Sequence, residues 1–183
     1  MSTSSRLKIS FLAVVIATVP LLVQALADDA IALQDGFETQ KSRTITDPWQ
    51  TEGSGAKGID IGLGLASSGK NNAFIRTDSR EWNAITRFVN VTPFATYRAS
   101  AMVRTSGNVR DGYMGVRDEL GEVIKEVKFG PLPNYTNVFV DFTTPRRTVV
   151  KFFIGYWAPA QDSWIQLDDV VVSRSIRLDG GAI

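Results

Sequence analysis

Residues 87–104, Arg-Phe-Val-Asn-Val-Thr-Pro-Phe-Ala-Thr-Tyr-Arg-Ala-Ser-Ala-Met-Val-Arg, constrain the fold more than any other stretch. Apolar and polar side chains alternate on both sides of Pro93, the pattern of two half-buried strands joined by a turn. The same two-residue period returns in Val138–Thr143. No window of more than about ten residues keeps the i, i+3, i+4 apolar stripe of a surface helix. Candidate strands are Ala30–Leu33, Gly58–Ala66, Ala73–Thr77, Ala84–Val91, Thr96–Arg104, Gly112–Arg117, Val123–Phe129, Asn137–Thr143, Thr148–Trp157 and Trp164–Ser173. Turn chemistry such as Ser106-Gly107-Asn108 and Gly130-Pro131-Leu132-Pro133 separates them. Many short strands with regular turns predict an all-β, antiparallel two-sheet sandwich.

Alternation also assigns faces. Tyr97, Ala99, Ala101 and Val103 are predicted to point inward, as are Val138, Val140 and Phe142, and Val150, Phe152, Ile154 and Tyr156. Met114 and Val116 join them, which leaves Tyr113 and Arg117 on the opposite face with Trp157 and, from its own strand, Arg98. Trp164 and Tyr97 read as core. Trp82 reads as exposed, because Ser79, Arg80, Glu81 and Asn83 around it are all polar. A polar face with a few aromatic rings and several Arg suits a sugar chain: rings stack on the apolar faces of pyranoses while guanidinium and amide groups bond the hydroxyls. A solvated face with stray aromatics fits the same pattern.

The first residues read as a secretory signal. Arg6 and Lys8 precede the mostly apolar Ile9–Val23, and Ala25-Leu26-Ala27 fits a small-residue cleavage site. The expected organisation is a signal peptide at 1–27, one sandwich domain at 28–175 and a flexible tail at 176–183. The 156 residues left after cleavage are enough for one core without staples. Losing Arg6 and Lys8 takes the net charge from +1 to −1, which leaves no electrostatic footprint for nucleic acid and no polybasic membrane segment. The expected location is extracellular or periplasmic, and a bacterial source is favoured because export is combined with a lack of Cys.

Absent residue types narrow the chemistry. With no His and no Cys, Ser-His-Asp and Cys-His catalysis and His-ligated zinc are excluded. Gly64-Leu-Ala-Ser-Ser-Gly-Lys70 has phosphate-loop spacing, but Asn71 stands where Ser or Thr would hold Mg²⁺ and no helix pattern follows, so it reads as a strand end and a turn. The acids show no paired pattern of a glycan hydrolase. Asp168 and Asp169 differ from the rest because they interrupt the apolar run Trp164–Val172. A carboxylate placed inward there needs a partner: a hard cation, an Arg or backbone N–H groups.

Taken in order from Gln34-Asp-Gly-Phe-Glu38 through 87–104, Gly115–Asp118 and Val138–Thr143 to Leu167-Asp-Asp-Val-Val171, these segments resemble the CenC-type carbohydrate-binding modules. Those are jelly-roll β-sandwiches of the galactose-binding-like superfamily. The resemblance implies a secreted, non-catalytic, lectin-like module that recognises a polysaccharide or glycan on a concave sheet face. Trp82, Tyr113 and Trp157 would stack on sugar, and Arg98 and Arg117 would supply polar contacts. It also implies that the first and last strands are neighbours, with a structural Ca²⁺ held there by Glu38 and by Asp168 or Asp169. The alternatives are an adhesive or structural extracellular sandwich that binds a protein partner, and a jelly-roll polysaccharide lyase using Tyr and Arg.

Overall fold

The computed structural model describes residues 31–175; the expected signal segment and tail lie outside the described residues. Among the described residues, eleven strands form two antiparallel sheets. Sheet A contains β3 (Ala56–Ile61), β4 (Asn71–Thr77), β11 (Ser163–Arg174), β6 (Thr96–Thr105) and β9 (Thr136–Thr143) in that spatial order, with β1 (Ile31–Asp35) also paired to β11. Sheet B runs β2 (Trp49–Glu52), β5 (Trp82–Asn90), β10 (Val149–Trp157), β7 (Asp111–Arg117) and β8 (Val123–Phe129). This is the expected all-β jelly-roll sandwich.

The period-2 pattern puts one apolar row from each strand between the sheets. Ala99, Ala101 and Val103 of β6 and Ile165 and Leu167 of β11 meet Ile85 of β5, Met114 of β7 and Phe152 and Ile154 of β10, all 0–1% exposed. The inward assignments made from alternation hold for β6, β7, β9 and β10. Trp164 does not follow its expectation: it stands one residue out of phase with buried Ser163 and Ile165 and lies half-buried on the outer face of sheet A.

Three local features shape the sheet edges and the loop beside them. The expected strand Gly58–Ala66 ends at Ile61. Gly62, Gly64 and Gly69 have φ of +64°, +70° and +62°, the left-handed region that glycine enters without a Cβ penalty, and they bend residues 62–70 into a loop. β2 escapes the sequence reading because only four residues lie between Pro48 and Gly53. Finally, β11 is bulged between Asp168 and Val171, where Asp169 has φ of +49°. Residues 163–167 pair with β4 and residues 170–173 with β1, so the first and last described strands are neighbours, as expected.

Candidate functional site

The outer face of sheet B is set by register. Trp82 of β5 lies opposite Trp157 of β10, which lies opposite Asp111 of β7. Two residues along, Ala84, Gly155 and Tyr113 line up, and two further on Thr86, Phe153 and Gly115. Gly155 and Gly115 have no alternative: an added Cβ would sit 2.2 Å from the Asn83 or Lys125 carbonyl oxygen. These small residues leave a low floor with rings standing around it, a cavity of about 390 Å³ lined by Trp82, Tyr113, Arg117, Glu126 and Trp157.

The rings form a cluster around Trp82. Its centroid is 5.8 Å from Trp157, 6.5 Å from Tyr113 and 6.1 Å from Phe153, with tilted or edge-on planes. The Arg117 guanidinium carbon lies 4.2 Å from the Phe153 centroid and 5.5 Å from that of Trp82. Trp157 is 56% exposed, so its ring is open to a ligand. Two buried polar atoms on this face, Thr86 Oγ1 and Arg117 Nε, have no hydrogen-bond partner. A buried polar group without a partner costs about 1–3 kcal/mol.

Glu52 holds the cluster, and sequence reasoning missed it. Its Oε2 accepts from Trp82 Nε1 at 3.0 Å and from Arg117 Nη1 at 3.1 Å, and its Oε1 accepts from Lys151 Nζ at 2.9 Å. Burial pushes the Glu52 carboxyl up, but hydrogen bonds from Lys151 and Trp82 and the charges of Lys151 and Arg117 outweigh it and hold the group below the usual glutamate range. Its only sequence signal would have been the alternation Trp49-Gln-Thr-Glu52, too short to read as a strand.

The structure thus gathers Trp82, Tyr113, Trp157 and Arg117, and it does not include Arg98. That residue lies on β6 in sheet A, where Nε and Nη2 bond Asp141 at 2.8 Å each and the guanidinium carbon stands 4.5 Å from the Phe139 centroid. Alternation gave the correct face of its strand; it could not say that β6 pairs with β9 and β11 in the other sheet. The Gly130–Pro133 loop does not line the groove. Leu132 packs on the core and its backbone bonds Thr105.

The acids Glu38, Asp168 and Asp169 surround the loop 62–70. Glu38 Oε1 accepts from the Lys70 and Asn71 N–H groups at 2.8 and 2.9 Å, which holds its pKa down. Fully buried Asp168 accepts from the Ser67 and Ser68 N–H groups through Oδ2 and from the Asp169 N–H through Oδ1, at 2.7–3.0 Å. Asp169 accepts from Ser68 Oγ. Among the described residues no three acidic side chains converge as a metal-binding group, so a cation here would draw most of its shell from backbone carbonyls.

No family model and no curated protein matches the sequence. Solved structures do. The chain superposes on the carbohydrate-binding module TmCBM61, solved with β-1,4-galactotriose, with a TM-score of 0.60 and 19% identity over 77% of this chain and 95% of that one. This is the fold of a carbohydrate-binding module. A family 16 carbohydrate-binding module gives a TM-score of 0.56 and 14% identity over 77% and 97% of the two chains. The Clostridium thermocellum xylanase Xyn10B, solved as CBM22-1 and GH10 modules with xylohexaose, gives 0.54 and 15% over 84% of this chain but 30% of that one. The module fold therefore accounts for essentially the whole of the first two neighbours.

Proposed function

We propose that this chain is a secreted, non-catalytic carbohydrate-binding module that takes a glycan across the outer face of sheet B. The observation that carries the reading is the convergence of Trp82, Tyr113, Trp157 and Arg117 around a floor of Ala84, Gly155 and Gly115. The rings offer flat apolar surface to pyranose C–H faces, and Arg117 and Glu126 offer a donor and an acceptor for hydroxyls. Binding to xylan- or galactan-type chains, such as the neighbours' ligands, would support it. The test is a glycan array probed with the protein. Recognition of a defined set of glycans supports the reading, and a blank array from protein that melts cooperatively rejects it.

Glu52 acts by positioning. Glu52→Gln is expected to weaken glycan binding about 10-fold, the order of one lost charge-assisted hydrogen bond, with Trp82 fluorescence shifted. Because the folded pKa of Glu52 is depressed, its contribution is complete above its ordinary value of 4.5 and is lost as pH falls through the lower folded value. Wild-type affinity should therefore stay flat from neutral pH down to about 5 and decline below the ordinary glutamate range, whereas the Gln variant should lack that Glu52-dependent decline. Equal profiles would show that Glu52 does not hold the site.

The same reading includes a structural Ca²⁺ at the β1–β11 junction, held by Asp169 and the remaining oxygen of Glu38 with backbone carbonyls. Its support is the meeting of Asp168 and Asp169 beside Gly36, each Oδ1 3.6 Å from where a Cβ on that glycine would lie. Melting with added Ca²⁺ and with EDTA tests it: a higher Tm with Ca²⁺ supports the ion, and coincident curves reject it.

A further inference from the structure

The outer face of sheet A carries a second cavity, of about 380 Å³, built from residues the first site does not use. Its floor is Phe74 of β4 and Gln166 of β11, which are register partners, and Arg104 of β6 lies opposite Gln166. Trp164 and Arg76 are partners two residues along the same strands. The missing side chain of Gly58 opens the β3 side: a Cβ there would press within 2.9 Å of the Phe74 ring. Leu65, from the loop 62–70, forms a wall and is fastened by the Tyr135 hydroxyl, which donates to its carbonyl at 2.8 Å.

The polar groups here are held in place before any ligand arrives. Both Arg104 Nε and Nη2 donate to Gln166 Oε1, and the guanidinium lies between Tyr135 and Trp164, 5.1 and 5.7 Å from their centroids. Gln166 Nε2 donates to Asp60 Oδ2 at 3.0 Å, and Asn72 Nδ2 donates to the same oxygen at 3.1 Å. Asn72 is fully buried, yet its Oδ1 has no partner. Arg76 is fixed by two bonds to Asp162. Donors and acceptors alternate; Asp162 pairs with Arg76, and Asp60 shares the cavity with Arg104 through Gln166, so the two Arg charges are set against two carboxylates. Flat rings beside mixed, fixed hydrogen-bonding groups suit a neutral polyol ring and not an ion or a nucleic-acid backbone.

We propose that this cavity is a second carbohydrate site and that the protein is bivalent, with one sugar site on each outer face. The inference rests on the glycan-binding reading of the sheet B groove. The two sheets lie about 10 Å apart with the filled core between them, so a short oligosaccharide cannot lie on both faces. Two sites therefore bridge separate polysaccharide chains, or distant stretches of one.

The test arrays oligosaccharides of β-1,4-galactan, xylan, cellulose, mannan and polygalacturonate against wild type, Trp82→Ala, Trp164→Ala and the double variant. The bound oligosaccharide is then titrated by calorimetry. Arg76→Ala serves as a second sheet A variant, because Arg76 and its ion-pair partner Asp162 are both solvent-exposed. The expected result is two equivalents of sugar per wild-type chain, with Trp82→Ala weakening one of the two sites and Trp164→Ala or Arg76→Ala weakening the other at least fivefold. Polysaccharide precipitated by wild type should stay in solution with either Trp variant. One equivalent for wild type, all of it lost in Trp82→Ala, overturns the second site and leaves the first standing. A blank array for wild type overturns both.

Discussion

Replacing Trp82 with alanine should lower glycan affinity at the sheet B groove about 30-fold, roughly 2 kcal/mol, the size of an interface hot spot. Trp82 touches three rings, the Arg117 guanidinium and the Glu52 carboxylate. Its removal takes away a stacking surface and leaves Glu52 and Arg117 to rearrange. The fold should tolerate this, because the ring lies over an open groove outside the core, and a Tm loss of a few degrees is expected. Trp157→Ala removes a more exposed ring with no hydrogen bond and should cost less, about fivefold, by the same hot-spot logic. Titration calorimetry on the preferred oligosaccharide, paired with melting curves, reads both. Unchanged affinity with a large loss of Tm would make Trp82 a packing residue and remove the centre of the proposed site.

Asp168→Ala should be the most damaging single change at the β1–β11 junction. It leaves three N–H groups, of Ser67, Ser68 and Asp169, without an acceptor. At about 1 kcal/mol or more for each orphaned donor the loss is about 3 kcal/mol, or about 6–12 °C in Tm for a domain of this size. Asp168→Asn keeps an acceptor for the two loop amides and should recover more than half of the loss. Melting both variants in EDTA reads the amide contacts alone. Equal losses for Ala and Asn would mean that charge at this position matters and amide geometry does not.

Long alternating runs were legible in the sequence, and short or broken ones were not. The strand around Thr96–Arg104 alternates along its whole length, enough to fix both its existence and its faces, and the long apolar run Thr148–Trp157 is enough to fix a strand. β2 has four residues and vanishes into its flanking turns, and with it goes Glu52, the group that organises the site. Trp82 can be picked out because a large ring among polar neighbours is conspicuous. Arg98 is misplaced because alternation reports the face of a strand and carries no information about which sheet the strand joins. Trp164 reads as core because its run is apolar; the one-residue phase that puts it outside shows only against its register partner Arg76 and the Arg104 guanidinium beside its ring. Pairing between strands far apart in sequence decides these cases, and no local pattern encodes it.

The last described strand lies in the interior of sheet A, with β6 along one edge and β4 and β1 sharing the other. Ile31 and Ser173 are register partners, so the first described strand is locked by the last. During synthesis, sheet A therefore lacks its spine until residues 163–174 have left the ribosome. Such long-range closure belongs to the slow, millisecond-to-second end of folding. Sheet B holds no part of β11, so its outer face draws only on earlier strands, whereas the outer face of sheet A is completed only when β11 slots between β6 and β4.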